Sequence, residues 1–311
     1  MSDMYIVSSS PHIKSKDSIQ KTMLDVLIAL TPAALFAIYY FGVGALSTII
    51  ICILSSVFAE WGYTKLMKQR NTAMDLSAAV TGLLLALNLP SSIPWWVSVM
   101  GSFFAIIIVK QLFGGLGQNF MNPALAARAF LLISFTGLMT TWGIVDGVSA
   151  ATPLGIIKEG GQMMPSLLDT FIGTIPGSLG ETSALALIIG GLYLMVRKVI
   201  SWRIPIIYIV TTALMVLLFG GEGFDLTYLG YHIFSGGLMI GAFFMATDYS
   251  SSPTTPKGQI IMGLGCGILT ALIRLFGGYP EGVSFAILIM NLFVPLIDKY
   301  TVPKSFGEVA K

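Results

Sequence analysis

Charge is scarce in this sequence: Asp, Glu, Lys and Arg together make up 10% of its 311 residues, against roughly 25% in an average soluble domain. So few charges cannot coat a water-facing surface, which excludes a soluble enzyme and a disordered chain. The net charge of +2 offers no general hold on a polyanion, so nucleic acid is excluded as a partner. Histidine is limited to His12 and His232, and cysteine to Cys52 and Cys266. None of them falls at a metal-ligand spacing from another, so the chain builds no zinc or iron–sulfur site alone, and no disulfide framework. What remains is apolar: hydrophobic residues make up 55% and mean hydropathy is +0.84. The chain is an integral membrane protein by composition.

A helix needs about 20 apolar residues to cross roughly 30 Å of hydrocarbon, and the apolar runs predict about ten transmembrane helices. They lie at 24–42, 43–61, 76–90, 95–112, 124–141, 184–200, 204–220, 226–247, 259–276 and 283–300. The expected fold is an all-α polytopic membrane protein. Its parts are a tail at 1–23, a first membrane repeat at 24–141, a loop at 142–183, a second membrane repeat at 184–300 and a tail at 301–311. A polar stretch before a long first span argues against a cleaved signal peptide and places the N-terminus in the cytoplasm.

Basic residues test that orientation. With the N-terminus inside, Lys14, Lys16, Lys21, Lys65, Lys68, Arg70, Lys110, Arg197, Lys198, Arg203, Lys257, Lys299, Lys304 and Lys311 are cytoplasmic. Arg128 and Arg274 fall within spans, which leaves Lys158 in an outside loop. The outside segments hold Asp146, Glu159, Asp169, Glu181, Glu222, Asp225 and Glu281 instead. The positive-inside rule therefore puts both termini in the cytoplasm and the loop 142–183 outside.

An internal repeat is also legible. Leu112-Phe113-Gly114-Gly115 recurs 163 residues later as Leu275-Phe276-Gly277-Gly278, and the same offset carries Pro90 onto Pro253. Each proline follows an interrupted apolar segment. Five spans per half is an odd number, so two inverted five-helix repeats with broken helices are expected, with a pathway near their interface.

The loop 142–183 carries the chemistry. Asp146-Gly147-Val148-Ser149-Ala150-Ala151-Thr152 sets one threonine among small residues. By composition this is a Gly/Ser turn with ordinary caps. In order, it matches Asp-x-x-Ser/Thr-Gly/Ala-Ala-Thr, on whose last threonine a flavin transferase places FMN from FAD as a phosphoester. A threonine hydroxyl is a poor nucleophile and must reach an external, metal-assisted site. Gly147, Ala150 and Ala151 leave that approach open.

Further segments carry a wider resemblance. They are Asn122-Pro123-Ala124-Leu125-Ala126-Ala127-Arg128-Ala129-Phe130, Pro176-Gly177-Ser178-Leu179-Gly180-Glu181-Thr182-Ser183 and Phe244-Met245-Ala246-Thr247-Asp248. Ser252-Pro253-Thr254-Thr255-Pro256, Tyr279-Pro280-Glu281-Gly282-Val283 and Val294-Pro295-Leu296-Ile297-Asp298 complete the set. Over nearly its whole length the chain resembles the family of D subunits of the Rnf complex, the ion-translocating ferredoxin:NAD oxidoreductase. It is similar also to the B subunit of the sodium-pumping NADH:quinone reductase. That relative has a longer N-terminal extension, whereas the first span here begins near residue 24, which favours the Rnf member.

The resemblance implies FMN held covalently at Thr152, with Asp146 and Ser149 recognised by the flavin transferase, and a second, non-covalent flavin, riboflavin. It implies a cell-membrane complex, shared with the C, G, E, A and B members of the Rnf set, that passes electrons from ferredoxin to NAD and moves Na+ or H+. This chain would not be catalytic alone. No glycine-rich dinucleotide fingerprint follows a strand, so the nicotinamide binds elsewhere. With Thr152 outside and both electron carriers inside, electrons must cross the membrane and return.

Other residues admit two readings each. Asn122 and Arg128 are candidates to contact a flavin phosphate or ring; the competing reading is helix-start packing, with Arg128 snorkelling to the cytoplasmic face. Arg274 is read as snorkelling near the outer interface. Asp248 borders a broken helix and is the candidate for the ion pathway. Asp25, Glu60, Asp75 and Asp298 gather with it near cytoplasmic ends, none at the bilayer centre. Two rival functions stay open: a homologue of the quinone reductase's B subunit, and a solute channel or transporter of the same inverted-repeat plan.

Overall fold

The computed structural model describes residues 18–69, 72–143, 151–161, 164–181 and 183–303. Its regular elements are helices. The first half comprises α1 (Ile19–Phe41), α2 (Val43–Leu66), α3 (Ser77–Leu87), α4 (Trp95–Gln111) and α5 (Pro123–Ser134). The connecting segment forms two short helices, α6 (Pro153–Glu159) and α7 (Leu167–Ile172). The second half comprises α8 (Ala184–Val196), α9 (Arg203–Phe219), α10 (Leu226–Phe234), α11 (Leu238–Met245), α12 (Pro256–Phe276) and α13 (Val283–Thr301). Helices α1, α2, α12 and α13 are each long and apolar enough to cross a membrane, and the bent pair α10–α11 makes a fifth candidate. The protein is a multi-pass membrane protein.

Outward faces and core differ as a lipid environment demands. Leu35, Leu54, Val196 and Leu218 are more than half exposed, as lipid-facing residues are. Within, Leu30 and Ala37 of α1, Leu85 of α3, Leu125 of α5, Leu187 of α8, Met262 of α12 and Ile287 of α13 join one buried cluster. Every residue of α3 is buried, so this helix has no face for lipid. Cys52 and Cys266 are fully buried packing residues within the same cluster.

Where tertiary structure departs from the hydropathy reading, the backbone gives the reason. The run 226–247 is not one continuous helix. It breaks at Ser235-Gly236-Gly237, where both glycines adopt φ near +67° (67° and 68°), and α10 and α11 meet at 59°. Glycine alone enters that conformation without cost. The third span is opened by a left-handed residue as well, Leu76 at φ 64°. The fifth, expected to reach 141, is interrupted at Phe135 (φ −133°) and resumes only as a short turn of helix, Thr136–Met139. In α4 and α11 the chain widens into π-turns at Phe104–Gln111 and Gly241–Met245, a local change of ladder found often at functional sites.

Two halves are held in contact through α1 and α8. Here Gly190 permits the approach: a Cβ at this position would overlap the carbonyl oxygen of Ala29, whereas one at Gly278 meets nothing within 4 Å. Small residues allow such backbone proximity in membrane helices. Gly190→Ala is therefore expected to destabilise the detergent-solubilised protein by about 1–3 kcal/mol, read as a lowered thermal midpoint, with Gly278→Ala close to wild type.

Candidate functional site

Thr152 is the N-cap of α6. Its backbone is extended, Pro153 follows at the first helical position, and its Oγ1 accepts from the Gly155 N–H at 3.2 Å. The residue is 6% exposed, and it lines a cavity of about 410 Å³. Ala151 beside it is exposed, while Gly147 and Ala150, the other small residues of the expected approach, lie outside the described residues. Asp146 and Ser149 lie in 144–150, outside the described residues.

The same cavity is lined by Arg128, from the second turn of α5. It is 5% exposed, which corrects the snorkelling reading. Its Nη1 donates to Asn88 Oδ1 at 3.0 Å and to Ser284 Oγ at 3.1 Å. Nη2 donates to Glu181 at 3.4 Å and to Glu281 in a close ion pair. One guanidinium thus joins the end of α3, the start of α13 and two loops. The two glutamates are 53 and 153 residues from Arg128 in sequence, and nothing in the local pattern marks them as its partners. Trp142, Tyr279 and Phe285 give the same cavity aromatic walls.

Asn122 stands elsewhere. Its Oδ1 caps α5, accepting from Ala124 N at 3.0 Å and Leu125 N at 3.2 Å, while Nδ2 donates to the Met245 carbonyl at 3.2 Å. It shares a smaller cavity of about 80 Å³ with Lys110, Asn119 and Asp248. Asp248 Oδ2 accepts from Ser251 at 2.9 Å, Ser250 at 3.2 Å and Asn119 at 3.4 Å. Of the sequence candidates, the fold brings Thr152 and Arg128 to one cavity, and Asn122 and Asp248 to another.

A second buried ion pair is not legible in the sequence. Lys110 Nζ lies 2.8 Å from Glu60, with the side chains 2% and 0% exposed. Ser77 accepts from the same amine at 2.8 Å, and Gln111 and Thr72 donate to the other Glu60 oxygen at 3.0 and 2.6 Å. The cluster sits where α3 begins. Each of the two charges ends an apolar run, which by hydropathy alone puts it at a water-facing boundary. Arg274 is also buried, at 4% exposure, and its guanidinium is spent on backbone carbonyls at the α10–α11 break instead of reaching the interface.

Removing Arg128 would leave Glu181 and Glu281 facing each other without a counter-charge. Breaking a buried pair from one side costs about 3–5 kcal/mol. Arg128→Met is thus expected to lower the thermal midpoint sharply, and adding Glu281→Gln should recover part of the loss; the comparison is a double-mutant cycle of unfolding midpoints.

Known proteins match the chain from end to end. It is 55% identical over 307 residues to the D subunit of the Na(+)-translocating ferredoxin:NAD(+) oxidoreductase complex of Acetobacterium woodii, covering 97% of this chain and 95% of that one. It is 47% identical to the D subunit of the proton-translocating ferredoxin:NAD(+) oxidoreductase complex of Clostridium ljungdahlii, over 98% of this chain and 97% of that one. It is 38% identical to the D subunit of the ion-translocating oxidoreductase complex of Yersinia pseudotuberculosis, over 97% and 98% respectively. With its family model matching residues 6–307, the chain belongs to the NQR2, RnfD, RnfE family.

Proposed function

We propose that this chain is the FMN-carrying membrane subunit of a redox-driven cation pump, an ion-translocating ferredoxin:NAD+ oxidoreductase complex. The observation that carries the flavin assignment is the placement of Thr152 on the wall of a 410 Å³ cavity that Arg128 also lines. That volume lies within the roughly 300–1,000 Å³ of small-molecule sites. The residues present fit the group. Trp142, Tyr279 and Phe285 offer flat apolar walls for an aromatic ring, and Ser284 offers a hydroxyl donor. Thr152 would hold FMN through its phosphate, and FMN when bound supplies one- and two-electron transfer. Arg128 is fixed between two carboxylates, of which Glu281 lines the same cavity together with Glu159. The surrounding apolar side chains limit water.

The rest of the reading concerns the assembly. The C, G, E, A and B members of the complex supply the other redox centres and the nicotinamide site, and a non-covalent riboflavin belongs to the membrane part. The helices form ten crossings in two inverted repeats, with both termini in the cytoplasm and Thr152 outside. In support, the 163-residue offset carries α1, α2, α3, α4 and α5 onto α8, α9, α11, α12 and α13 in order. It also carries Gln111, bonded to Glu60 where α3 begins, onto Arg274, bonded to Ser235 and Gly236 where α11 begins. Relatives are named for sodium in one case and protons in another, so the cation is set by differences between close relatives. Asp248 is the candidate on its path.

Denaturing electrophoresis of the natively matured protein under ultraviolet light is expected to show a fluorescent band, lost in Thr152→Val. Peptide mass spectrometry should place the FMN phosphoester on Thr152. An unmodified Thr152 peptide from a host with active transferase would overturn the assignment and return the solute-channel reading.

A further inference from the structure

On the other side of α6 lies a cavity of about 240 Å³ that shares only Pro280 with the one beside Thr152. Lys158 of α6, His232 of α10 and Arg274 of α12 line it, with Phe219 and Phe276 at the ends of α9 and α12. Arg274 donates to the carbonyls of His232, Ser235 (3.1 Å) and Gly236 (2.9 Å). Those carbonyls form the C-terminal end of α10, a place of partial negative charge. Its Nε has no hydrogen-bond partner, and among the described residues no carboxylate lies within ion-pair distance.

His232 is 3% exposed, its ring 4.7 Å from that of Tyr228, and neither ring nitrogen is hydrogen-bonded. Lys158 reaches the same space with an amine held by the carbonyls of Gly277 and Tyr279, the latter at 3.1 Å. Buried polar atoms are nearly always paired, and a buried charge without a counter-charge is costly. Two buried side chains with unpartnered nitrogens and a lysine thus come from three helices to the wall of one cavity.

We propose that this cavity binds an oxyanion of the phosphate class, held by Lys158, His232 and Arg274. Two sources share that chemistry, a free phosphate ion and the headgroup of a phospholipid. Phe219 and Phe276 are 55% and 69% exposed at the rim, where acyl chains would lie. The site does not depend on the flavin reading, since apart from Pro280 its residues and those beside Thr152 are distinct.

The test uses the full chain purified in mild detergent. Native mass spectrometry after exchange reads any retained phospholipid. Calorimetric titration of the delipidated protein with inorganic phosphate, and separately with phosphatidylglycerol in micelles, reads the anion. Arg274→Gln removes the cap of α10 and can unfold the region, so the deciding variants are Lys158→Met and His232→Phe, which leave that cap in place. One charge-assisted hydrogen bond is worth about a tenfold change in affinity, and each variant is expected to weaken binding by about that factor. Retained phospholipid, or binding of phosphatidylglycerol without inorganic phosphate, assigns the lipid source; binding of inorganic phosphate assigns the free ion. No binding of either probe by wild type, or equal binding by the Lys158→Met, His232→Phe double variant, overturns the proposal.

Discussion

Hydrocarbon offers no hydrogen bonds, so every backbone N–H and C=O at membrane depth must find a partner within the protein. This structure interrupts several of its helices and must meet that demand at each interruption. Past the end of α3, the loop 176–181 folds in, and Gly180 and Leu179 donate to the carbonyls of Leu87 and Leu89 at 2.6 and 3.0 Å. At the start of α5, Asn122 satisfies two free amides and then reaches across to a carbonyl of α11. At the α10 break, Arg274 takes three carbonyls. The family segments read from the sequence are in large part these repair points.

Buried charge follows from the same constraint. A guanidinium can satisfy several acceptors at once and stays ionised, which suits it to the ends of broken helices. Arg128 and Arg274 are both used in this way, one against carboxylates and one against carbonyls. The Lys110–Glu60 pair does related work at the opening of α3. Taking such groups out of water costs several kcal/mol per ion, so their value lies in fixing which helix ends meet, more than in net stability. The cavity beside Thr152 is bounded by one of these fixed charges.

Family membership and geometry contribute different parts of the functional reading. Relatives named as the D subunit of redox-driven translocating complexes cover this chain almost end to end, which makes a free-standing solute channel the weaker account. The cavity beside Thr152 is where the proposed flavin would be held.

Local pattern alone settled the membrane class and the approximate helix positions, because hydropathy is a sum over neighbouring residues. Pro90 and Pro253 likewise marked interruptions, because proline removes a donor wherever it stands. Only tertiary structure decided that Ser235-Gly236-Gly237 breaks a span and that Arg128 turns inward to Glu181 and Glu281. It also paired Lys110 with Glu60, 50 residues away. A charged residue near the end of an apolar run looks the same in sequence whether it faces water or a buried partner. The choice depends on which other chain segments arrive beside it, and that information exists only once the helices have packed.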